Sequence, residues 1–74
     1  MTLPVWKRSV KVGGRNTSVS MEEEFWNALT HIAKSNGSTI AALVSVIDRD
    51  RDAVNLSSAC RVYTLRYFRS REQT

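Results

Sequence analysis

The chain has one cysteine, one histidine and one proline among its 74 residues, and no apolar run long enough to cross a bilayer. Each scarcity excludes something. Cys60 has no second thiol in the chain, so no internal disulfide can staple the fold. His31 and Cys60 stand alone, without a cluster of metal ligands around either, which argues against a structural zinc site. The single thiol and the lack of a signal-peptide-like or membrane-spanning stretch predict a protein of the cytoplasm. A chain this short makes one domain, and a monomer of its size buries only roughly 60% of its unfolded surface. With disulfides and metals set aside, oligomerisation is the staple that remains.

Acidic residues are also missing from the whole N-terminal stretch, where Lys7, Arg8, Lys11 and Arg15 precede the first carboxylate, Glu22. Arg61, Arg66, Arg69 and Arg71 crowd the other end against Glu72, and the formal net charge is +4. A basic segment of this kind suits a polyanion partner. Residues 1–14 read as a basic arm containing Pro4, 15–70 as the folded domain and 71–74 as a short tail. Within the arm, Ser9–Val12 alternates at period two and ends at Gly13-Gly14. Asn16–Met21 alternates again, with Thr17, Val19 and Met21 on one side and Asn16, Ser18 and Ser20 on the other.

That second segment needs a partner strand, because its backbone donors and acceptors cannot be satisfied by one strand alone. A second copy of the chain supplies one in the arrangement favoured here: a two-stranded antiparallel ribbon formed across an intertwined homodimer. Gly13-Gly14 leaves another arrangement open, a hairpin in which Ser9–Val12 folds back within the same chain. Three helices follow. The first starts near Glu22, with acidic residues in its first turn; it buries Phe25, Trp26, Leu29, Ile32 and Ala33 and stops at Asn36-Gly37. Ser38 or Thr39 caps the second, over 39–48, whose Ile40, Leu43, Val44 and Ile47 fall at helical spacing. The third, over 56–69, begins at Asn55 or Ser57 and is apolar around so much of its circumference that it needs cover on several sides.

The outward row of Asn16, Ser18 and Ser20 carries the chemistry of base reading: an amide pairs bidentately with adenine, and hydroxyls serve either a donor or an acceptor edge. Lys7, Arg8, Lys11 and Arg15 are positioned to meet phosphates or groove edges. Two helix starts, at Ser38-Thr39 and at Ser57-Ser58, offer free N–H groups and small hydroxyl residues as phosphate clamps. Other patterns fail. Asp48-Arg49-Asp50-Arg51-Asp52 imitates a calcium loop, but Ala53 stands where the glycine is needed and Ala59 where the bidentate glutamate is needed. Gly13-Gly14-Arg15 lacks the Lys-Ser/Thr end of a nucleotide loop. Cys60 sits among apolar neighbours as a core residue. No acid–base pair or nucleophile constellation is present, so an enzyme is not expected and no cofactor is implied.

The run Asn16-Thr17-Ser18-Val19-Ser20-Met21, followed by Glu22-Glu23-Glu24-Phe25-Trp26-Asn27-Ala28-Leu29, resembles the ribbon-helix-helix superfamily of the Arc and methionine repressors. Asn55-Leu56-Ser57-Ser58-Ala59-Cys60-Arg61-Val62 resembles a helix start found in a subgroup of small bacterial members. The resemblance covers about residues 8–69. It implies a mainly α fold with one short strand per chain and an intermolecular ribbon that enters the major groove. It also implies a DNA-binding transcriptional regulator, a repressor, in which Asn16, Ser18 and Ser20 read bases. Members typically place Arg, Lys or Gln in that row, whereas serine holds two of its three positions here. The rival expectation is a protein-interaction module, an antitoxin-like or adaptor dimer gripping a protein partner with its third helix; the short C-terminal tail counts against the antitoxin version.

Overall fold

A computed structural model describes residues 4–51 and 55–72. Residues 1–3, 52–54 and 73–74, which include the start of the expected arm, part of the charged turn and the end of the tail, lie outside the described residues. The order of elements is β1 (Val5–Val12), β2 (Arg15–Glu22), α1 (Glu23–Ser35), α2 (Ile40–Asp50) and α3 (Leu56–Glu72).

The ribbon is made within one chain. Strands β1 and β2 pair antiparallel, from Val12 opposite Arg15 to Val5 opposite Glu22. The reading of one short strand per chain is corrected: β1 pairs with β2 as the alternative hairpin through Gly13-Gly14 had it, and residues 5–12 form a strand, not an arm. Two features make this possible. Gly13 and Gly14 take φ of 58° and 82°, the left-handed values that a two-residue type I′ turn requires at both positions. β1 also reaches back to Val5, so it matches β2 residue for residue, eight against eight.

Alternation then divides the ribbon into two faces. Val10, Val12, Val19 and Met21 are buried against the helices. Residue Arg8 shares this inner face. Its guanidinium lies 4.7 Å from the centroid of the Trp26 ring and pairs with the Glu23 carboxylate, so the cation is held by a π face and a carboxylate together.

Helix α1 follows β2 without a loop, its first turn holding Glu23 and Glu24. It ends in a Schellman motif: Ser38 N–H donates to Ala33 O and Gly37 N–H to Lys34 O, with Gly37 at φ 66°. Thr39 then caps α2, its Oγ1 accepting from Ala42 N–H at 3.1 Å. Leu29, Ile32, Ala33, Leu43, Val44, Ile47, Leu56 and Cys60 complete the core with the four ribbon residues. The acidic–basic end of α2 is self-paired, Arg51 with Asp48 at 2.8 Å and Arg49 with Asp50 at 3.3 Å. On α3 the inner line is Leu56, Cys60 and Thr64, whereas Val62, Leu65 and Phe68 remain exposed. Among the described residues no helix is long and apolar enough to cross a membrane.

Candidate nucleic-acid interface

The outer face of the ribbon is polar throughout its central part. The register sets Lys7 opposite Ser20, Ser9 opposite Ser18 and Lys11 opposite Asn16. In a hairpin with a two-residue loop the pair flanking the turn exchanges hydrogen bonds, and bonded pairs recur at every second position. These three outer pairs are thus the non-bonded kind, whose side chains lie closest together. Asn16 and Ser18 are exposed and Ser20 is half-buried, in the phase expected from Val19 and Met21. Serine occupies two of the three β2 positions, but lysines from β1 stand directly across from Asn16 and Ser20. The positive charge missing from the β2 row is restored by its neighbour.

The same geometry sends the N–H and C=O of Ser20 away from β1, and α3 receives both. Ser20 N–H donates to Ser57 Oγ at 2.9 Å, and Arg61 Nη2 donates to Ser20 O at 3.0 Å. Arg61 Nε also donates to Glu22 Oε1 at 3.1 Å. A hydrogen bond from its own backbone N–H, then the Arg61 contact, hold the Glu22 carboxyl below its ordinary value. This clasp closes one end of the β2 edge and locks α3 onto the ribbon.

The remaining candidate residues separate clearly. Lys7 and Lys11 belong to the outer face, and Arg15 is exposed beside the turn. Arg8 is turned the other way: it ties β1 to α1 through Trp26 and Glu23, which corrects its assignment to a mobile basic arm. Ser38 and Thr39 are exposed at the α1–α2 junction, Thr39 acting as the cap. At the start of α3, Asn55 Oδ1 accepts from Ser58 N–H at 2.8 Å, and the Ser57 hydroxyl is engaged by Ser20. That leaves Ser38-Thr39 as the helix start whose hydroxyls are not tied to another element. Burial pushes the Cys60 thiol up to about 11, as befits a packed core residue and not a nucleophile. His31 stacks beside Phe68, with ring centroids 6.5 Å apart.

Sequence reasoning held Ser9–Val12 as a strand only in its alternative hairpin, which the pairing bears out, and missed that β1 reaches back to Val5. Its signal was present in Val5, Trp6, Val10 and Val12, all β-prone types, but Arg8 at an inner position interrupts the apolar alternation and Lys7-Arg8 reads as part of a solvated arm. The clasp had no signal of its own: Ser57 and Arg61 are recognisable as partners of Ser20 only once α3 is placed.

Comparison with known proteins agrees with this geometry. A family model described as a ribbon-helix-helix domain matches residues 5–68, taking in both strands and α3 up to its last turn. Among solved structures, an uncharacterized protein from Bordetella pertussis Tohama I superposes with a TM-score of 0.78 at 31% sequence identity, over 95% of this chain. The chain spans 60% of the length of that protein. No curated protein matches the chain. Match, register and helix order together place the chain in one family: it belongs to the ribbon-helix-helix domain proteins.

Proposed function

We propose that this chain is a sequence-specific DNA-binding transcriptional regulator, a repressor of the cytoplasm that acts as a homodimer and lays its ribbon in the major groove. Ribbon-helix-helix domains are in general dimeric, non-enzymatic DNA-binding regulators, and the family match supplies that starting point. The observation that carries the reading is the outer face of the hairpin, where amide, hydroxyl and ammonium groups alternate with no carboxylate until Glu22, itself bound by Arg61.

In this reading Asn16, Ser18 and Ser20 contact base edges, and Lys7, Lys11 and Arg15 contact phosphates or the groove edge. The N-terminus of α2 at Ser38-Thr39 presents N–H groups to a backbone phosphate; Ser58, on the first turn of α3, is the alternative clamp, and Ser57 supports it from the ribbon side. Fluorescence anisotropy on a duplex selected from a randomised pool tests the assignment. Arg15→Ala and Asn16→Ala are both expected to weaken binding while leaving the thermal transition in place. Unchanged binding by both variants would rule out the ribbon as the reader.

A further inference from the structure

We infer that the cavity between the end of α2 and the first turns of α3 binds a small organic anion with a flat apolar body, an aryl carboxylate in chemical class. The site goes beyond the DNA-binding reading and does not depend on it. The cavity measures about 340 Å³. That is the space of roughly eleven waters, at the small end of the range of about 300–1,000 Å³ usual for ligand pockets. It fits one or two rings with a short acidic arm and is too small for a folded peptide or a nucleic-acid strand.

The lining sets the chemistry of the occupant. Ile47, Ala59 and Val62 supply apolar wall, and Tyr63 adds a ring on which a flat body can stack. Ser58, Tyr63 and Arg66 reach the same cavity from one face of α3, at helical spacing. Among the described residues no hydrogen bond or ion pair engages the Ser58 hydroxyl, the Tyr63 phenol or the Arg66 guanidinium. All three can donate, and the guanidinium can only donate. A carboxylate accepts from each of them and takes two parallel bonds from the guanidinium. An ammonium group would leave all three unmatched.

The remaining charges agree in sign. Arg51 and Asp50 also line the cavity, but Arg51 is paired with Asp48 at 2.8 Å and Asp50 with Arg49 at 3.3 Å. Arg66 therefore decides what the site attracts. A second, open cavity of about 480 Å³ shares Tyr63 and Arg66 and continues past Tyr67 to Arg71, with no carboxylate among its described lining residues. Acidic oxygens held at Arg66 thus meet a further guanidinium on that side. Ser57 and Arg61, which hold Ser20, leave α3 roughly 150° round the helix axis from the middle of the cavity. An occupant leaves the clasp and the outer face of the ribbon free.

Three probes of one shape and different charge test the site on the full chain: indole-3-acetate, neutral indole-3-acetamide and cationic tryptamine. Amide shifts in a titration are expected to saturate for the acetate with a Kd of about 0.1–1 mM and to centre on residues 47–51 and 58–66. At ten times that Kd the Tm is expected to rise by about 6–11 °C. The acetamide is expected to bind about tenfold more weakly and tryptamine not to saturate. Arg66→Gln should weaken the acetate about tenfold, and Tyr63→Phe about three- to tenfold. Val62→Phe, at an exposed position, should fill the space and abolish binding with the thermal transition intact. Acetamide or tryptamine binding as tightly as the acetate would overturn the inference. So would unchanged acetate binding in Arg66→Gln. An affinity that falls as the chain is concentrated would show a second copy covering the cavity and would overturn it as well. None of these outcomes touches the ribbon, whose variants are read on DNA.

Discussion

The clasp between β2 and α3 gives the sharpest test of how the ribbon is held. Ser57 and Arg61 both act on the backbone groups of Ser20 that face away from β1. Ser57→Ala leaves a half-buried N–H without its acceptor, at a cost of about 1 kcal/mol. For a domain of this size that lowers Tm by about 4–8 °C. Arg61→Met keeps most of the apolar stem and removes the guanidinium, so the loss of the bond to Ser20 O costs about 1–2 kcal/mol. The two substitutions share a target and are expected to be non-additive: once either contact is gone the edge frays and water reaches the other, so the double variant should fall short of the sum by about 0.5 kcal/mol or more. Hydrogen exchange localises the effect. In the wild type the Ser20 amide should be protected and the Ser18 amide, which faces open solvent, should not; in Ser57→Ala the Ser20 amide should exchange roughly fivefold faster, the factor corresponding to about 1 kcal/mol. Equal exchange at Ser18 and Ser20 in the wild type, or strict additivity of the two substitutions, would refute the clasp.

Two further outcomes follow from the same structure. The Glu22 carboxyl is held below its ordinary value of 4.5 in the folded chain, so the folded state binds fewer protons than the unfolded state in that range; its stabilising contribution is present above pH 4.5 and is lost as the pH falls through the folded value. Denaturation midpoints of Glu22→Gln measured from about pH 6 to about pH 3 should therefore fall less steeply with acid than those of the wild type. At the turn, a Cβ on Gly13 or Gly14 meets nothing within 4 Å, so any penalty is purely conformational: Gly14→Ala should cost about 1 kcal/mol and Gly13→Asn should be neutral or slightly stabilising, as read by urea midpoints.

The helices were largely legible in the sequence because their physics is local. Ile40, Leu43, Val44 and Ile47 mark one face of α2 without reference to anything else, and all but the half-buried Ile40 are buried. The stop at Asn36-Gly37 is legible for the same reason: a residue that adopts positive φ freely, just past the last apolar position, is what a Schellman ending needs. The third helix was legible in extent but not in packing. Its apolar residues surround the axis, so periodicity cannot say which line faces inward; contact with the ribbon selects Leu56, Cys60 and Thr64 and leaves Val62 and Leu65 outside.

The first half of β1 failed to declare itself for a reason that bears on function. A strand is read from alternation, and β1 breaks its own alternation by placing Arg8 among Val10 and Val12 on the inner face. That position is tolerable only because Trp26 and Glu23, 18 and 15 residues further on, arrive from α1 to receive the guanidinium, which is a tertiary fact. With Arg8 counted as an arm residue, Lys7 loses its phase and becomes mere charge; with Arg8 turned inward, Lys7 is forced outward, into one row with Ser9 and Lys11. Replacing Arg8 therefore tests more than stability. Arg8→Leu satisfies the inner face by burial alone and removes one positive charge, yet it leaves the outer row untouched. If the row is the reader, this variant should keep the wild-type base preference and salt slope within error in anisotropy titrations. A fall in the slope by about one unit would instead return Arg8 to the phosphate contacts and undo the division of the ribbon into a holding face and a reading face.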